Sequence, residues 1–397
     1  MKAVTWQGRR NVTVETVPDP VIEESTDAII EVTTTAICGS DLHLYEVLVP
    51  FMHAGDILGH EPMGKVVDVG SGVTTLAVGD RVVVPFQISC GRCFMCEHGW
   101  QTQCETTQVR EYGTGAALFG YSELYGRVPG GQAQYLRVPH ADGTTIKIDD
   151  GPDDQRYLYL SDVLPTAWQA VEYAGPEPGS TVAILGLGPI GDMAARIAMH
   201  RGLRVIGIDR VPERLQRTKD RGAETIDSAR VDDVGDAVRE LTTGRGADAV
   251  IDAVGMEAHG SPVVTQMHRA MGMLPKPVAK QALLRTGIDR LAALYDAIDA
   301  VRRGGTISLA GVYGGAMDPI PMFTLFDKQI QLRMGQANVK RWAPEILPLL
   351  RDDDVLGVEG FATHTLPIDD APHAYRIFQE KRDGAVKILL KPGESAA

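Results

Sequence analysis

The strongest constraint on the fold lies in residues 181–209 of this 397-residue chain, which read TVAILGLGPIGDMAARIAMHRGLRVIGID. An apolar run is followed by a glycine-rich turn, an amphipathic helical stretch and a second apolar run. This order predicts a strand–helix–strand unit. Helix-like and strand-like segments keep alternating after it, in ERLQRTKDRGA, DAVRELTTG, DAVIDAVG and GTISLAGVYG. We therefore predict an α/β fold with a doubly wound parallel sheet.

The glycine turn predicts a nucleotide site. Gly186, Gly188 and Gly191 form the pattern GxGxxG directly after a strand and before a helix, which is the context that makes this motif informative. A turn without side chains lets a pyrophosphate approach the N-terminus of the helix, where backbone N–H groups favour anions. Pro189 and Ile190 belong to the same turn, and we expect all five residues to contact a dinucleotide.

The residue that ends the second strand bears on which dinucleotide is bound. Asp209 can accept both hydroxyls of an adenosine ribose, and its charge would repel a 2′-phosphate. NAD is therefore favoured over NADP. The neighbouring Arg210 and Arg214 keep NADP open, because guanidinium groups at this edge could bind a phosphate.

Cysteine spacing predicts a closed metal site. Four of the five cysteines lie in the run CGRCFMCEHGWQTQC, at Cys90, Cys93, Cys96 and Cys104. Four thiolates on one loop can surround a zinc ion and leave no coordination position open, so we expect a structural zinc. An iron–sulfur centre is the competing interpretation, but the Cys-Pro ending of ferredoxins is missing. In a reducing compartment such clustering favours metal over disulfides.

The fifth cysteine suggests a second, open metal site. Cys38 begins CGSDLH, and GHEP with His60 and Glu61 follows. A thiolate and an imidazole are good zinc ligands, and a site with three protein ligands keeps a fourth position for water or substrate. A third ligand is needed, and a cysteine and histidine at this separation are otherwise often buried structural residues. The acid beside His60 favours the metal interpretation, because Glu61 can orient the ligand or replace one.

Charge and hydropathy exclude two classes of partner. The chain has 39 basic and 52 acidic residues, a formal charge of −13, and no basic cluster, so we expect no nucleic-acid partner. The start lacks an apolar leader, and no stretch offers about 18 consecutive uncharged apolar residues. We therefore expect no membrane association and a cytoplasmic protein.

The secondary structure that the residue pattern predicts changes near residue 165. Short β-like runs such as AIIEVTTTAI, KVVDVG and DRVVVPF precede it and predict a β-rich, barrel-like domain. Residues from about 337 onward could end the parallel sheet or return to the first domain, and the pattern alone does not decide. The stretch at about 256–281 exceeds what a crossover helix needs, and is either surface decoration or a flap near the adenine end of the nucleotide.

In this order, CGSDLH, GHEP, the four-cysteine loop, GGQAQYLRVPHAD and GLGPIG resemble the zinc-dependent medium-chain alcohol dehydrogenases along essentially the whole chain. LSDVLPTAW, with Asp162 where many members have cysteine, and the long segment after DAVG look like the formaldehyde dehydrogenase and formaldehyde dismutase branch. The resemblance implies a GroES-like catalytic domain at 1–163, completed by 339–397. It also implies a Rossmann NAD-binding domain at 164–338 with an insertion at about 256–281.

Carried onto the matching positions, the resemblance implies a catalytic zinc held by Cys38, His60 and Asp162, with Glu61 beside the metal. Taken alone, Asp162 is interpreted equally well as a helix N-cap. A proton relay is implied as well. Ser40 would accept a proton beside the metal-bound oxygen and pass it through the nicotinamide ribose to His43, near solvent.

The same resemblance implies further site residues. Thr166 matches a position against the nicotinamide ring, Phe86 matches a residue of the substrate channel, and Lys387 matches one that reaches the cofactor pyrophosphate. Additional cofactor contacts are expected at Val254, Gly311 and Val312.

The implied activity is hydride transfer between a primary alcohol, or an aldehyde hydrate, and NAD, in a homo-oligomer with two zinc ions per chain. A formaldehyde dehydrogenase or dismutase that retains NAD tightly is the main alternative, and a polyol substrate is another. A non-catalytic nucleotide-binding sensor or structural protein is an alternative of a different class. It is disfavoured because it need not keep Cys38, His60 and Asp162 together.

Overall fold

The structure, a computed structural model, describes residues 1–149, 151–255, 291–313, 320–351 and 353–394. The chain divides into two units, one formed by Met1–Pro165 with Ala337–Ala397 and the other by Thr166–Gln336. The boundaries predicted after residues 163 and 338 each lie two residues from these. The predicted insertion at about 256–281 lies outside the described residues.

Strands of two to ten residues build the N-terminal part of the first unit. They are β1 (Lys2–Gly8), β2 (Asn11–Thr16), β3 (Ala28–Ile37), β4 (Asp56–Ile57), β5 (Glu61–Val69), β6 (Arg81–Val83), β7 (Tyr135–Val138) and β8 (Ile146–Ile148). The intervening helices are short, since turn residues interrupt the chain frequently. They are α1 (Gly39–Glu46), α2 (Phe94–Glu97), α3 (Ala141–Thr144) and α4 (Asp154–Leu158). The longer helix α5 (Val163–Ala174) begins in the first unit and continues into the second.

The second unit is the predicted parallel sheet. Its strands are β9 (Thr181–Leu185), β10 (Arg204–Asp209), β11 (Glu224–Asp227), β12 (Ala247–Asp252), β13 (Val301–Leu309) and β14 (Gln331–Met334), in the order β11-β10-β9-β12-β13-β14. All five pairings are parallel. Described helices are α6 (Pro189–His200), α7 (Pro212–Lys219), α8 (Val234–Leu241), α9 (Ala292–Ala300) and α10 (Met322–Asp327).

The core of the second unit forms where the apolar strands meet helices α8 and α9. Ile206 of β10, Val250 of β12 and Ile307 of β13 cluster with Val238 and Leu294 from those helices. Burial of strands by crossover helices explains why these runs are almost entirely apolar.

The chain then returns to the first unit through α11 (Val339–Arg351), β15 (His364–Pro367), α12 (Ala371–Glu380) and β16 (Ile388–Lys391). Strand β16 pairs antiparallel with β3, with Ile388 opposite Ile37, and extends the seven-stranded sheet of this unit. Tyr375 and Phe378 of α12 pack with Trp6 in one of its cores. The C-terminal segment is therefore part of the first unit's core and sheet.

The α/β fold class, with a β-rich first unit and a Rossmann parallel sheet, is confirmed. Among the described helices, none combines the length and the apolar composition that crossing a bilayer requires.

Candidate metal centres and nucleotide site

The structure brings four metal-ligating side chains of the first unit together. Cys38 precedes α1, His60 directly precedes β5, Glu61 begins that strand, and Asp162 precedes α5. One ligand atom from each lies within 4.8 Å of the others. Asp162 Oδ2 lies 3.2 Å from Cys38 Sγ and 3.5 Å from His60 Nε2.

These separations fit a single zinc ion. Donor atoms around a tetrahedral zinc, at bond lengths of about 2.0 Å for N or O and 2.3 Å for S, lie about 3.3–3.5 Å apart. Burial, together with the carboxylates of Asp162 and Glu61, raises the pKa of the Cys38 thiol to about 12. A thiol of this kind becomes a thiolate ligand when a bound cation stabilises its charge. Both the donor set and the charges of the cluster therefore suit a divalent cation.

Asp41, which the sequence interpretation missed, orients the imidazole of His60. Its fully buried carboxylate places Oδ1 3.1 Å from His60 Nδ1. Its Oδ2 accepts a hydrogen bond from the backbone N–H of Cys38 at 2.9 Å. Burial opposes a charged imidazole, but Asp41, together with Asp162 and Cys38, outweighs burial and holds the pKa of His60 well above its usual value. Because Asp41 lies against Nδ1, Nε2 faces Asp162, as in carboxylate–histidine–zinc arrangements.

Lys387, for which the resemblance implies a contact with the cofactor pyrophosphate, forms a buried ion pair with Glu61 in this unit. Its side chain is wholly buried, and Nζ lies 2.5 and 2.7 Å from the two carboxylate oxygens of Glu61. It also donates to the carbonyl of Ile37 at 3.3 Å. Burial disfavours the ammonium, but Glu61, together with Cys38 and Asp162, more than compensates and raises the pKa of Lys387. The described contacts of Lys387 are thus with the acid beside the zinc ligands and with the carbonyl of Ile37, and its contact with a pyrophosphate stays a prediction.

Further side chains lie around His60, among them the predicted Ser40 and Phe86. Ser40 Oγ lies 3.1 Å from His60 Nε2. The rings of Phe86 and Tyr121 meet the imidazole edge-on, with centroids 6.4 and 6.2 Å away. His43 also lies on α1. The resemblance places this imidazole near solvent, whereas only 8% of His43 is exposed.

Tyr121 is a second residue that the sequence interpretation missed. Besides touching His60, it lines a cavity of about 250 Å³ together with Asp56 and Arg127. No local motif marks it, since it lies in the irregular stretch at 112–130. Only the packing of that stretch against the segment before His60 brings it to the metal cluster.

The four-cysteine loop forms a separate cluster. The sulfurs of Cys90, Cys93, Cys96 and Cys104 lie within 4.8 Å of one another, and all are free thiols. Cys93 Sγ and Cys104 Sγ are 3.9 Å apart, close to the edge of about 3.8 Å of a zinc tetrathiolate. Although burial opposes it, hydrogen bonds from Thr107 and from backbone N–H groups lower the pKa of Cys104 to about 6. These hydrogen bonds favour a thiolate at Cys104, whereas burial raises the pKa of Cys96.

The glycine turn of the second unit has the geometry its sequence predicts. Gly188 caps α6, with Pro189 as the first helical residue and Ile190 following it. Gly186 has a φ of +81°, and a Cβ on Gly191 would lie 1.8 Å from the carbonyl oxygen of Gly186. Any larger residue at position 191 would push the helix away from the turn, so a close approach to the helix N-terminus requires glycine.

Asp209 lies at the end of β10 and is 8% exposed. Its Oδ2 accepts the N–H of Leu187 in the glycine turn at 2.7 Å, and its Oδ1 accepts the N–H groups of Arg210 and Val211. These bonds use three of the roughly four acceptor positions of a carboxylate. Arg214 Nη1 lies 3.8 Å from Asp209 Oδ2. The carboxylate therefore organises the turn in addition to any contact with a ribose.

The remaining predicted cofactor residues belong to the second unit. Thr166 is its first residue and lies within α5. Val254 follows β12, and Gly311 and Val312 follow β13. A Cβ on Gly186 would lie 2.6 Å from Val254 Cγ2, so the loop after β12 touches the glycine turn.

Comparisons with known proteins agree with a metal centre in the first unit and a nucleotide site in the second. Residues 24–150 match the alcohol dehydrogenase GroES-like domain family, and residues 189–274 match the zinc-binding dehydrogenase family. A zinc-type alcohol dehydrogenase-like protein of Bacillus subtilis is 42% identical, covering 99% of this chain and 100% of the relative. The formaldehyde dismutase of Pseudomonas putida is 33% identical, covering 98% of this chain and 97% of its own.

Among solved structures, alcohol dehydrogenase TADH from Thermus sp. ATN1 aligns with a TM-score of 0.80 at 32% identity, covering 98% of this chain and 99% of that one. The chain therefore belongs to the zinc-dependent medium-chain alcohol dehydrogenase family, which confirms the resemblance inferred from its motifs. It is an oxidoreductase of that family.

Replacing Lys387 should reveal the cost of an unpaired charge beside the metal cluster. We expect Lys387→Met to lower the free energy of unfolding by about 3–5 kcal/mol, because Glu61 would stay buried without its cation. Urea denaturation measures this loss, and Lys387→Met combined with Glu61→Gln should recover much of it. The matched control is Lys2→Met, whose half-exposed pair with Asp369 is worth less than about 1 kcal/mol. An equally small loss for Lys387→Met would contradict the interpretation.

Replacing Asp41 should weaken the metal site without removing a zinc ligand. We expect Asp41→Asn to lower the zinc affinity of the cluster about 10–100-fold, because the amide no longer polarises His60. The asparagine oxygen can still accept the N–H of Cys38. Chelator competition measures the affinity, with Asp68→Asn, an exposed acid of β5, as control. Equal zinc retention in both variants would show that Asp41 does not act on the metal.

Proposed function

We propose that this protein is a zinc- and NAD-dependent oxidoreductase that moves a hydride between a primary alcohol, or an aldehyde hydrate, and NAD. The observation that carries the proposal is the cluster of Cys38, His60 and Asp162. Their three donor types lie at zinc-ligand separations, and three protein ligands leave the fourth position of the ion for substrate.

When bound, zinc would supply a Lewis acid that lowers the pKa of a hydroxyl group coordinated to it. The chain's own residues then serve the proton and the substrate. Ser40, beside His60 Nε2, accepts the proton of the substrate hydroxyl, and His43 on the same helix receives it from the relay. Phe86 and Tyr121 exclude water around His60 and favour a small, largely apolar substrate.

NAD is the cofactor that the second unit supports. The glycine turn offers the N-terminus of α6 to a pyrophosphate, with Pro189 and Ile190 in its first turn. The charge of Asp209 disfavours a 2′-phosphate, whereas Arg210 and Arg214 are the groups that would tolerate one. Thr166 would lie against the nicotinamide ring, and its carboxamide would meet the backbone of Val254, Gly311 and Val312.

We also propose two zinc ions per chain and a homo-oligomer, a dimer or a tetramer. The second zinc is supported by the spacing of the four sulfurs in the cysteine loop. The oligomer is supported by an apolar surface on the second unit. Phe323 and Phe326 are 81% and 83% exposed, and all four residues of the edge strand β14 are exposed.

A formaldehyde dehydrogenase or dismutase is the second candidate. The relatives named formaldehyde dismutase and glutathione-independent formaldehyde dehydrogenase align with 95–98% of this chain. An enzyme that keeps its NAD would oxidise one formaldehyde hydrate to formate and reduce a second formaldehyde to methanol. The two half-reactions balance without added cofactor.

The proposed activity predicts NADH formation from primary alcohols and NAD. We expect Asp162→Asn to lower kcat/KM at least 100-fold while nucleotide binding is retained, because a neutral amide is a poor zinc ligand. Absorbance of NADH follows the reaction, and an Asp153→Asn variant serves as control. Absence of turnover with any primary alcohol or aldehyde would overturn the proposal.

The same protein, incubated with formaldehyde without added NAD, separates the two candidates. Formate and methanol in equal amounts would establish the dismutase. No product under these conditions, with turnover once NAD is supplied, would establish an exchangeable cofactor.

Metal analysis tests the number of zinc ions. We expect about two zinc ions per chain in the purified protein, and about one in each of Cys38→Ser and Cys104→Ser, because the two clusters share no ligand. Elemental analysis of dialysed protein gives the count. A wild-type content of one zinc that Cys38→Ser leaves unchanged would sink the assignment of the open site.

A further inference from the structure

Two loops of the second unit are joined through their backbones. One follows β12, at residues 252–255, and the other follows β13, at residues 310–313. The N–H groups of Ala310 and Gly311 both donate to the carbonyl of Asp252, at 2.9 and 2.8 Å. A Cβ on Gly311 would lie 2.3 Å from the nitrogen of Gly255. The two loops are therefore in contact main chain against main chain.

A buried carboxylate completes this connection. Asp252 is 0% exposed, and its Oδ1 accepts the N–H groups of Val254 and Gly255 at 2.9 and 3.1 Å. Its Oδ2 accepts the hydroxyl proton of Tyr313. Within the described residues no cationic side chain pairs with it, so the carboxylate is compensated by three neutral donors. Burial accordingly raises the pKa of Asp252.

Sheet topology assigns these loops to one half of a dinucleotide. The chain runs from β9 through β10 to β11 on one side, whereas β12, β13 and β14 lie on the other, so the order reverses between β9 and β12. A dinucleotide lies across the carboxyl ends of the strands at such a point. Asp209 lies at the end of β10, on the adenosine side. The loops after β12 and β13 therefore face the nicotinamide half.

The main chain of these loops complements a carboxamide. Within the described part of the chain, the carbonyls of Val254 and Gly311 and the N–H of Val312 have no hydrogen-bond partner. A primary carboxamide carries two N–H donors and one carbonyl acceptor. The two loops offer two acceptors and one donor, which complement the two donors and one acceptor of the carboxamide. These groups can bind it together only while the loops keep their relative position.

We propose that Asp252 and Tyr313 are positioning residues for the nicotinamide carboxamide. Neither would touch the cofactor. The carboxylate holds the turn at 254–255 through two N–H groups, and the Tyr313 hydroxyl ties the end of the other loop to the same carboxylate. The inference rests on the proposed use of NAD and adds residues that determine how its reactive ring is held.

The test compares NADH with ADP-ribose, which lacks the nicotinamide. We expect Tyr313→Phe to weaken NADH binding about tenfold, the contribution of one well-placed hydrogen bond, and to leave ADP-ribose binding within about twofold. Calorimetric titration of the purified full-length enzyme gives both affinities. Tyr173→Phe in the same unit is the matched control, because Tyr173 is likewise a largely buried tyrosine and its ring packs against the guanidinium of Arg333.

Variants of Asp252 test the same contact if Tyr313→Phe does not fold. In Asp252→Asn, the asparagine oxygen can accept the two N–H groups, and its amide can donate to the Tyr313 oxygen. NADH affinity should then stay within about threefold of the wild type, whereas Asp252→Ala should lose it as Tyr313→Phe does.

Equal weakening of NADH and ADP-ribose by Tyr313→Phe would overturn the proposal, since it would indicate general damage to the unit. Unchanged NADH affinity would also overturn it. Failure of the proposed function is visible separately, because wild-type protein would then bind neither NADH nor ADP-ribose before any substitution is made.

Discussion

The buried ion pair between Lys387 and Glu61 joins the two ends of the chain. Both side chains are 0% exposed, and Lys387 directly precedes β16, which completes the first unit's sheet against β3. Burying two charges costs several kcal/mol per ion unless they meet in good geometry. Glu61 is also a member of the metal-ligating cluster. The cluster therefore acquires its charge balance only when the C-terminal segment has returned to the N-terminal strands.

The orientation of the zinc-ligating side chains also depends on buried polar contacts. His60 presents Nε2 to Asp162 because Asp41 lies against Nδ1, and Asp41 also accepts the N–H of Cys38. One carboxylate thus orients a histidine donor and the backbone of a cysteine donor. In the cysteine loop, backbone N–H groups instead of a carboxylate hold the ligand sulfurs in place. This suits a site whose four ligands all come from one short segment of the chain.

In the second unit, two aspartates hold different loops in place. Asp209 ties the glycine turn to β10, while Asp252 ties the loops after β12 and β13. Each is a buried carboxylate at the carboxyl end of a parallel strand, satisfied largely by backbone N–H groups. The loops around the predicted nucleotide site are consequently held by largely buried side chains, which preorganise the site before any ligand binds.

Sequence alone determined the features whose residues are neighbours along the chain. GLGPIG and the four-cysteine loop were predictable because a turn or a short loop brings their residues together by local backbone geometry. Asp162 is assigned only through family resemblance, and the sequence does not predict the positions of Asp41 and Tyr121 or the contact between Lys387 and Glu61. Tertiary structure decided these, because a side chain's partner depends on which distant strand or helix packs beside it, and spacing in the sequence carries no record of that packing.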